Sequence, residues 1–219
     1  MKGSAIEGLV RKHLLPKLPE FAARRSLVYR RPLDALLHGL SFDTSAFASG
    51  RIFVTAFVQP LFVPSDSPFY TFGFRLGDDF WDVEEQDPDP TFAAIADAAQ
   101  DDALPFFEQL ADLDRFCERV PEWATAEPKK LKSLQSLDDP VVTEALGYAQ
   151  LLRGRKHEGV RLLEQTIESE RENGEYANDE VIGNAEHVLD AVTRLGLEAG
   201  QAQLVEWRAE TIRNLRLEE

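Results

Sequence analysis

The sequence predicts an α+β protein: an N-terminal helix packed on a four-stranded antiparallel meander, followed by an all-helical C-terminal half. Three observations predict it. Residues 50–76, GRIFVTAFVQPLFVPSDSPFYTFGFRL, form the most apolar and aromatic stretch, and strand-like alternation flanks a proline-rich break within it. An amphipathic helical pattern precedes that stretch. Beyond residue 90 the apolar spacing is helical throughout.

Taken in order, Ile6 to Phe21 reads as a helix, with Ile6, Leu9, Val10, His13 and Leu14 at helical spacing. Ser4 and Glu7 have the spacing of a capping box. Pro16 lacks the N–H that a helix interior needs, so the helix is expected to end or kink near Leu15. Arg25–Arg31 is the first expected strand, closed by Pro32. The second is Leu36–Asp43, with Leu36, His38, Leu40 and Phe42 on one face. Ile52, Val54, Ala56 and Val58 then alternate with Phe53, Thr55, Phe57 and Gln59. Both faces of that strand are mostly apolar, as in a strand covered on two sides. Tyr70, Phe72, Phe74 and Leu76 mark a fourth strand.

Between Asp78 and Pro90 the character changes, with seven acids and two prolines in thirteen residues. Phe80-Trp81 is expected to anchor this acidic segment to the sheet. Thr91–Gln100 and Leu104–Val120 read as helices, and Pro121, Pro128 and Lys129-Lys130 as a linker. The domain boundary follows from that linker: an α+β domain with an acidic helical extension over 1–127, and a helical-hairpin domain over 128–219. Asp139-Pro140 has the order of a helix start. Residues 144–168 divide at Gly154 into a helical hairpin, Asp179–Leu195 and Leu204–Leu217 supply a second pair, and Gly196 lies at a helix-cap position.

Leu146-Gly147, Ala149, Gly154, Glu158, Val160 and Ile167 occupy positions at which the hairpin resembles a degenerate tetratricopeptide repeat. The repeat's usual small Ala falls on Gly159, and its closing proline is absent. Residues 5–80, on their pattern and the phrase FVQPLFVP, are similar to uncharacterised α/β domains of bacterial proteins. That resemblance implies no activity.

Composition excludes several classes of function. A single cysteine, Cys117, allows no internal disulfide framework and no cysteine-based zinc site, and fits a reducing compartment. The N-terminus lacks the apolar core of a signal peptide, and no apolar run is long enough for a membrane span, so a cytoplasmic location is expected. The net charge of −15 is uneven. Residues 1–50 carry eight Lys/Arg against four Asp/Glu, whereas residues 76–127 carry two against sixteen. That balance argues against nucleic acid as a partner, because phosphate neutralisation needs a basic surface.

No nucleophile elbow, phosphate-binding loop or dinucleotide fingerprint occurs, and Ser41, Ser45 and Ser49 stand in no catalytic motif. No cofactor is expected, and no enzymatic activity. The reading that follows is a non-enzymatic protein-binding protein: an adaptor, an accessory chaperone or an immunity-type inhibitor. Its surface would be the proline-bounded Leu61, Phe62 and Val63 together with Asp78, Asp79, Asp82, Glu84 and Glu85, facing a partner with a basic surface. Leu61, Phe62 and Val63 either bury against the chain's own helices or form an exposed docking patch. The first alternative is a small-molecule sensor or carrier with a sheet cavity lined by His38, Phe57, Phe72, Phe74 and Arg75, in which Arg75 pairs with an anionic group. The second is a metal-dependent enzyme around His187, Asp190 and Glu180. Cys117 is expected to be buried and inert.

Overall fold

The computed structural model describes residues 3–44, 50–77, 80–84, 86–125 and 139–217. The fold is α+β, with an N-terminal helix, an antiparallel sheet and a helical C-terminal half. The chain forms two compact units, one from residues 1–59 and 72–111, the other from 60–71 and 112–218. The boundary expected at 127/128, like Pro128, Lys129 and Lys130, lies outside the described residues.

In the first unit, helix α1 (Gly3–His13) buries Ile6 and Val10 one turn apart, and Leu14 and Leu18 continue that side beyond its end. It stops three residues before Pro16, as the missing N–H requires. The Ser4 side chain of the expected capping box lies outside the described residues; the Glu7 carboxylate accepts from Arg11 and from the backbone N–H of Arg25.

Among the described residues the sheet has six strands where four were expected: β1 (Phe21–Arg24), β2 (Leu27–Arg30), β3 (Leu36–Thr44), β4 (Arg51–Pro60), β5 (Phe72–Arg75) and β6 (Trp81–Asp82). Strands β1 to β5 lie in sequence order as a meander, and β6 pairs with β4. Strand β1 falls between the helix expected to end near Leu15 and the strand expected from Arg25. It joins β2 through the two-residue turn Arg25-Ser26, in which Arg25 takes φ +55°. A positive φ at an arginine leaves no sequence signal, and the N–H that Glu7 holds is the one at this turn. Strand β6 is the sheet anchor expected of Phe80-Trp81. Ile52 pairs with Trp81, whose Nε1 donates to the Leu76 carbonyl at 2.9 Å, and Arg51 lies over the Phe80 ring.

Register divides the sheet into two faces. Phe21, Val28, His38, Phe42 and Phe74 share one face with Val54 and Ala56. Helices α2 (Asp89–Ala98) and α3 (Leu104–Gln109), joined by a π-helical turn over Ala99–Ala103, cover that face. Phe42 stacks on Phe92, Phe21 and His38 meet Phe107, and Phe74 meets Phe106 edge-on at 5.2 Å. The other face carries Tyr29, Leu37, Phe57 and Gln59, all buried. Phe57 lies across Gly39, where a methyl group would stand 2.9 Å from its ring.

The helix expected over Leu104–Val120 is two helices. Leu110 leaves helical geometry (φ −120°, ψ 33°), and Asp112 then accepts from the Arg115 N–H at 2.8 Å to start α4 (Leu113–Thr125). Pro121, expected in a linker, lies inside α4.

In the second unit, α5 (Pro140–Leu152) opens as its sequence predicts, with Asp139 accepting from the Val141 N–H and proline at the first position. Residues 142–151 are all buried, so α5 is the unit's central helix. Gly154 makes the turn at φ +80°, and α6 (Lys156–Glu172) returns antiparallel. Thr143 meets Thr166, Gly147 meets Leu163, and Gly159 meets Leu151. Helices α7 (Asp179–Arg194) and α8 (Leu197–Asn214) complete the unit; α8 starts seven residues earlier than expected, directly after Gly196.

Candidate functional site

Leu61, Phe62 and Val63 are core residues, with exposures of 0%, 0% and 8%. Of the two expectations for this loop, the structure shows burial. The loop belongs to the helical unit, where Thr211 Oγ1 donates to the Val63 carbonyl and Asn214 Nδ2 to that of Ser65. A docking patch made of these three side chains is therefore corrected: the prolines at 60 and 64 bracket a segment that fills its own fold.

Asp82 and Glu84 are exposed, and Asp82 pairs with Arg51 at 3.0 Å. Asp78, Asp79 and Glu85 lie outside the described residues. Other acids of the same block meet the basic N-terminal segment within the first unit. Asp89 faces Lys12 and His13, Asp97 faces Lys17, and Glu108 faces Arg30, which also holds Glu20. Asp82, Asp89, Asp97 and Glu108 thus find counter-charges inside one unit.

His38 is 7% exposed, and its Nε2–H donates to the Leu110 carbonyl at 2.8 Å. Burial pushes its pKa below the ordinary imidazole value. Asp43 lies on the opposite side of the strand and accepts from Ser41. Arg75 is exposed, donates to Thr55 Oγ1 at 2.9 Å and lies over the Phe53 ring. The five residues of the expected sheet cavity do not share a site. Register places His38, Phe72 and Phe74 on one face, and Phe57 and Arg75 on the other.

His187 Nε2 lies 3.0 Å from Gln203 Oε1 and its ring sits against Trp207, while Asp190 pairs with Arg194. Among the described residues no three His, Cys, Asp or Glu side chains converge as metal ligands. Cys117 is buried, and desolvation holds its thiol above the ordinary value despite the neighbouring Arg153. Among the described residues no helix is long and apolar enough to cross a membrane.

The helical unit carries features that sequence reasoning missed. On α6, Glu164, Glu168 and Glu172 recur every four residues, about 6 Å apart along the axis. With Ile167, Arg171 and Glu186 of α7 they line an open groove of about 600 Å³. Arg171 spans it to Glu186 at 2.6 Å. The four-residue period of these acids is plain in the sequence, but their facing Glu186 depends on how α6 and α7 pair.

A second, smaller pocket of about 310 Å³ lies among α4, α5 and α6. Pro121, Leu146 and Leu162 line it with Cys117, Gln150 and Gln165. Beneath these surfaces, Glu144 of α5 is 2% exposed, and Tyr148 donates its hydroxyl to Glu144 Oε1 at 3.0 Å. Burial pushes this carboxyl up to about 8.

No protein-family model, curated protein or solved structure matches this chain, so the resemblance to a tetratricopeptide repeat gains no support beyond the hairpin itself.

Proposed function

We propose that this chain is a non-enzymatic protein-binding protein whose helical unit takes a basic segment of its partner in the α6–α7 groove. One observation carries the reading: four carboxylates, Glu164, Glu168, Glu172 and Glu186, line an open groove with a single arginine among them. An extended peptide repeats its side chains on one face about every 6.6 Å, close to the roughly 6 Å between successive acids on α6. A segment with Lys or Arg at alternate positions would place each charge near one carboxylate. Displacing Arg171 from Glu186 would free a further acceptor. Exposed ion pairs are weak individually, so the affinity would be modest and strongly dependent on salt. An adaptor, an accessory chaperone and an immunity-type inhibitor all fit this mode.

The test compares two triple variants of equal net charge for binding of a fluorescent octalysine peptide. One is Glu164→Gln, Glu168→Gln and Glu172→Gln; the other is Glu198→Gln, Glu206→Gln and Glu210→Gln on α8, where all three positions are exposed. The groove variant is expected to weaken binding about tenfold and the α8 variant less than twofold, a difference of roughly 1.4 kcal/mol or less. Equal weakening would show that only overall charge matters, and the reading would fail.

The pocket among α4, α5 and α6 supports a second reading, a carrier or sensor of a small molecule. Its volume lies at the lower end of ligand pockets, and its wall mixes apolar and amide side chains. Thermal-shift screening against a metabolite panel tests it; a stabilising ligand whose effect disappears in Leu146→Trp is the expected outcome. An unaltered shift in that variant would place the ligand elsewhere.

A further inference from the structure

We infer that the junction of α5, α6 and α7 is a proton-operated element, closed while Glu144 carries its proton and loosened when that proton leaves to solvent. Glu144 lies in the run of α5 that is buried on every side. Its one donor is a neutral phenol, Tyr148, itself fully buried and packed edge-on against Trp207 of α8 at 5.8 Å. The charged groups that bear on it from the neighbouring helices are both carboxylates, Glu170 of α6 and Glu180 of α7.

Glu170 already has a structural role. Its Oε2 accepts from the Asn178 N–H at 2.8 Å and from Asn173 Nδ2 at 3.4 Å, which ties the end of α6 to the start of α7. The adjoining Thr143 and Thr166 hydroxyls bond each other at 2.8 Å, and Thr166 also lies 3.0 Å from the Leu162 carbonyl, so neither is bonded to Glu144. An ionised Glu144 would therefore be a buried anion with one phenol donor and two like charges as neighbours. Two responses relieve it: water enters between α5 and the α6–α7 connection, or Glu170 releases Asn178. Either opens the same junction.

Burial and the two carboxylates place the transition near pH 8, just above neutrality. The inference concerns the junction alone and stands whether or not the α6–α7 groove binds a basic segment.

The test follows the thermal midpoint of the full chain between pH 5.5 and 9.5, in the wild type and in Glu144→Gln, which keeps the shape of the protonated side chain. The wild type is expected to lose several degrees between pH 6 and 9, and the variant to lose less than half of that. Identical profiles would overturn the inference. Should Glu144→Gln fail to fold, carboxyl ¹³C NMR of the wild type, with Glu180→Gln as the second variant, gives the same decision. A Glu carboxyl titrating near 8, and moving lower in Glu180→Gln, is the expected result. No Glu carboxyl titrating above about 5.5 would overturn the proposal.

Discussion

At Gly147 and Gly159 the helices α5 and α6 approach so closely that neither position has room for a methyl group. One on Gly147 would stand 2.8 Å from Leu163 Cδ2; one on Gly159 would stand 2.6 Å from Leu151 Cδ2 and 2.9 Å from the Gly147 carbonyl. Leucine ends can swing aside, but a backbone oxygen cannot. Gly159→Ala is therefore predicted to cost about 1–3 kcal/mol, measured as a lower urea midpoint with unchanged slope. The sequence already singled out both glycines as small positions of a hairpin, because close helix contact leaves that mark. It did not single out Glu144, since nothing in the residues around a glutamate states that all sides of its helix will be covered.

His38 and Glu144 give the two units opposite responses to pH. His38 has a folded pKa below its ordinary 6.5, so the unfolded chain binds the extra proton. Its contribution is complete above 6.5 and is lost as pH falls below that value. Glu144 has a folded value of about 8 against 4.5, so here the folded chain holds the extra proton. Its contribution is complete below 4.5 and is lost as pH rises towards 8. Hydrogen exchange, corrected for the intrinsic pH dependence, is predicted to show β3 weakening in mild acid and α5 weakening in mild alkali. The same sign in both would contradict these assignments.

At the scale of elements, the loop between β4 and β5 shows what the chain alone can and cannot reveal. The apolar run Leu61-Phe62-Val63 between two prolines was legible as a special segment. Its allegiance was not, because the partner of the Val63 carbonyl is Thr211, 148 residues away. Phe62→Ala removes a fully buried ring and is predicted to cost about 3–5 kcal/mol. Thr211→Val keeps the shape, leaves the Val63 carbonyl without that donor, and is predicted to cost about 1–3 kcal/mol. Chemical denaturation measures both, and a change within 0.5 kcal/mol for Phe62→Ala would mean that the loop is not core. The broken helix at Leu110 follows the same logic. Phe106 and Phe107 pack with the sheet unit, while Phe116 and Val120 are buried residues of a helix in the second unit. Continuous helical spacing across 104–120 hid a change of unit. Alternation along the strands, by contrast, correctly grouped Leu36, His38, Leu40 and Phe42, because strand parity is local.

For the whole molecule, charge was the most visible property and the easiest to misread. The basic start and the acidic middle looked like a field directed outwards. Lys12, His13, Lys17, Arg30 and Arg51 instead meet Asp89, Asp97, Glu108 and Asp82 inside the first unit. These pairs are largely exposed and contribute little stability each, but each offsets part of the local field. On the helical unit, Glu164, Glu168, Glu172 and Glu186 line one shared groove. On the proposed function, a basic partner is steered to that groove rather than to the segment around residues 78–85, where the sequence is most acidic.

Mapping the amide shifts of the full chain as an octalysine peptide is added tests that claim most directly. The account predicts perturbations concentrated on residues 164–172 and around Glu186, fading as salt is raised towards 0.5 M. Perturbations centred on residues 80–102, or spread evenly over the exposed acids of both units, would contradict it.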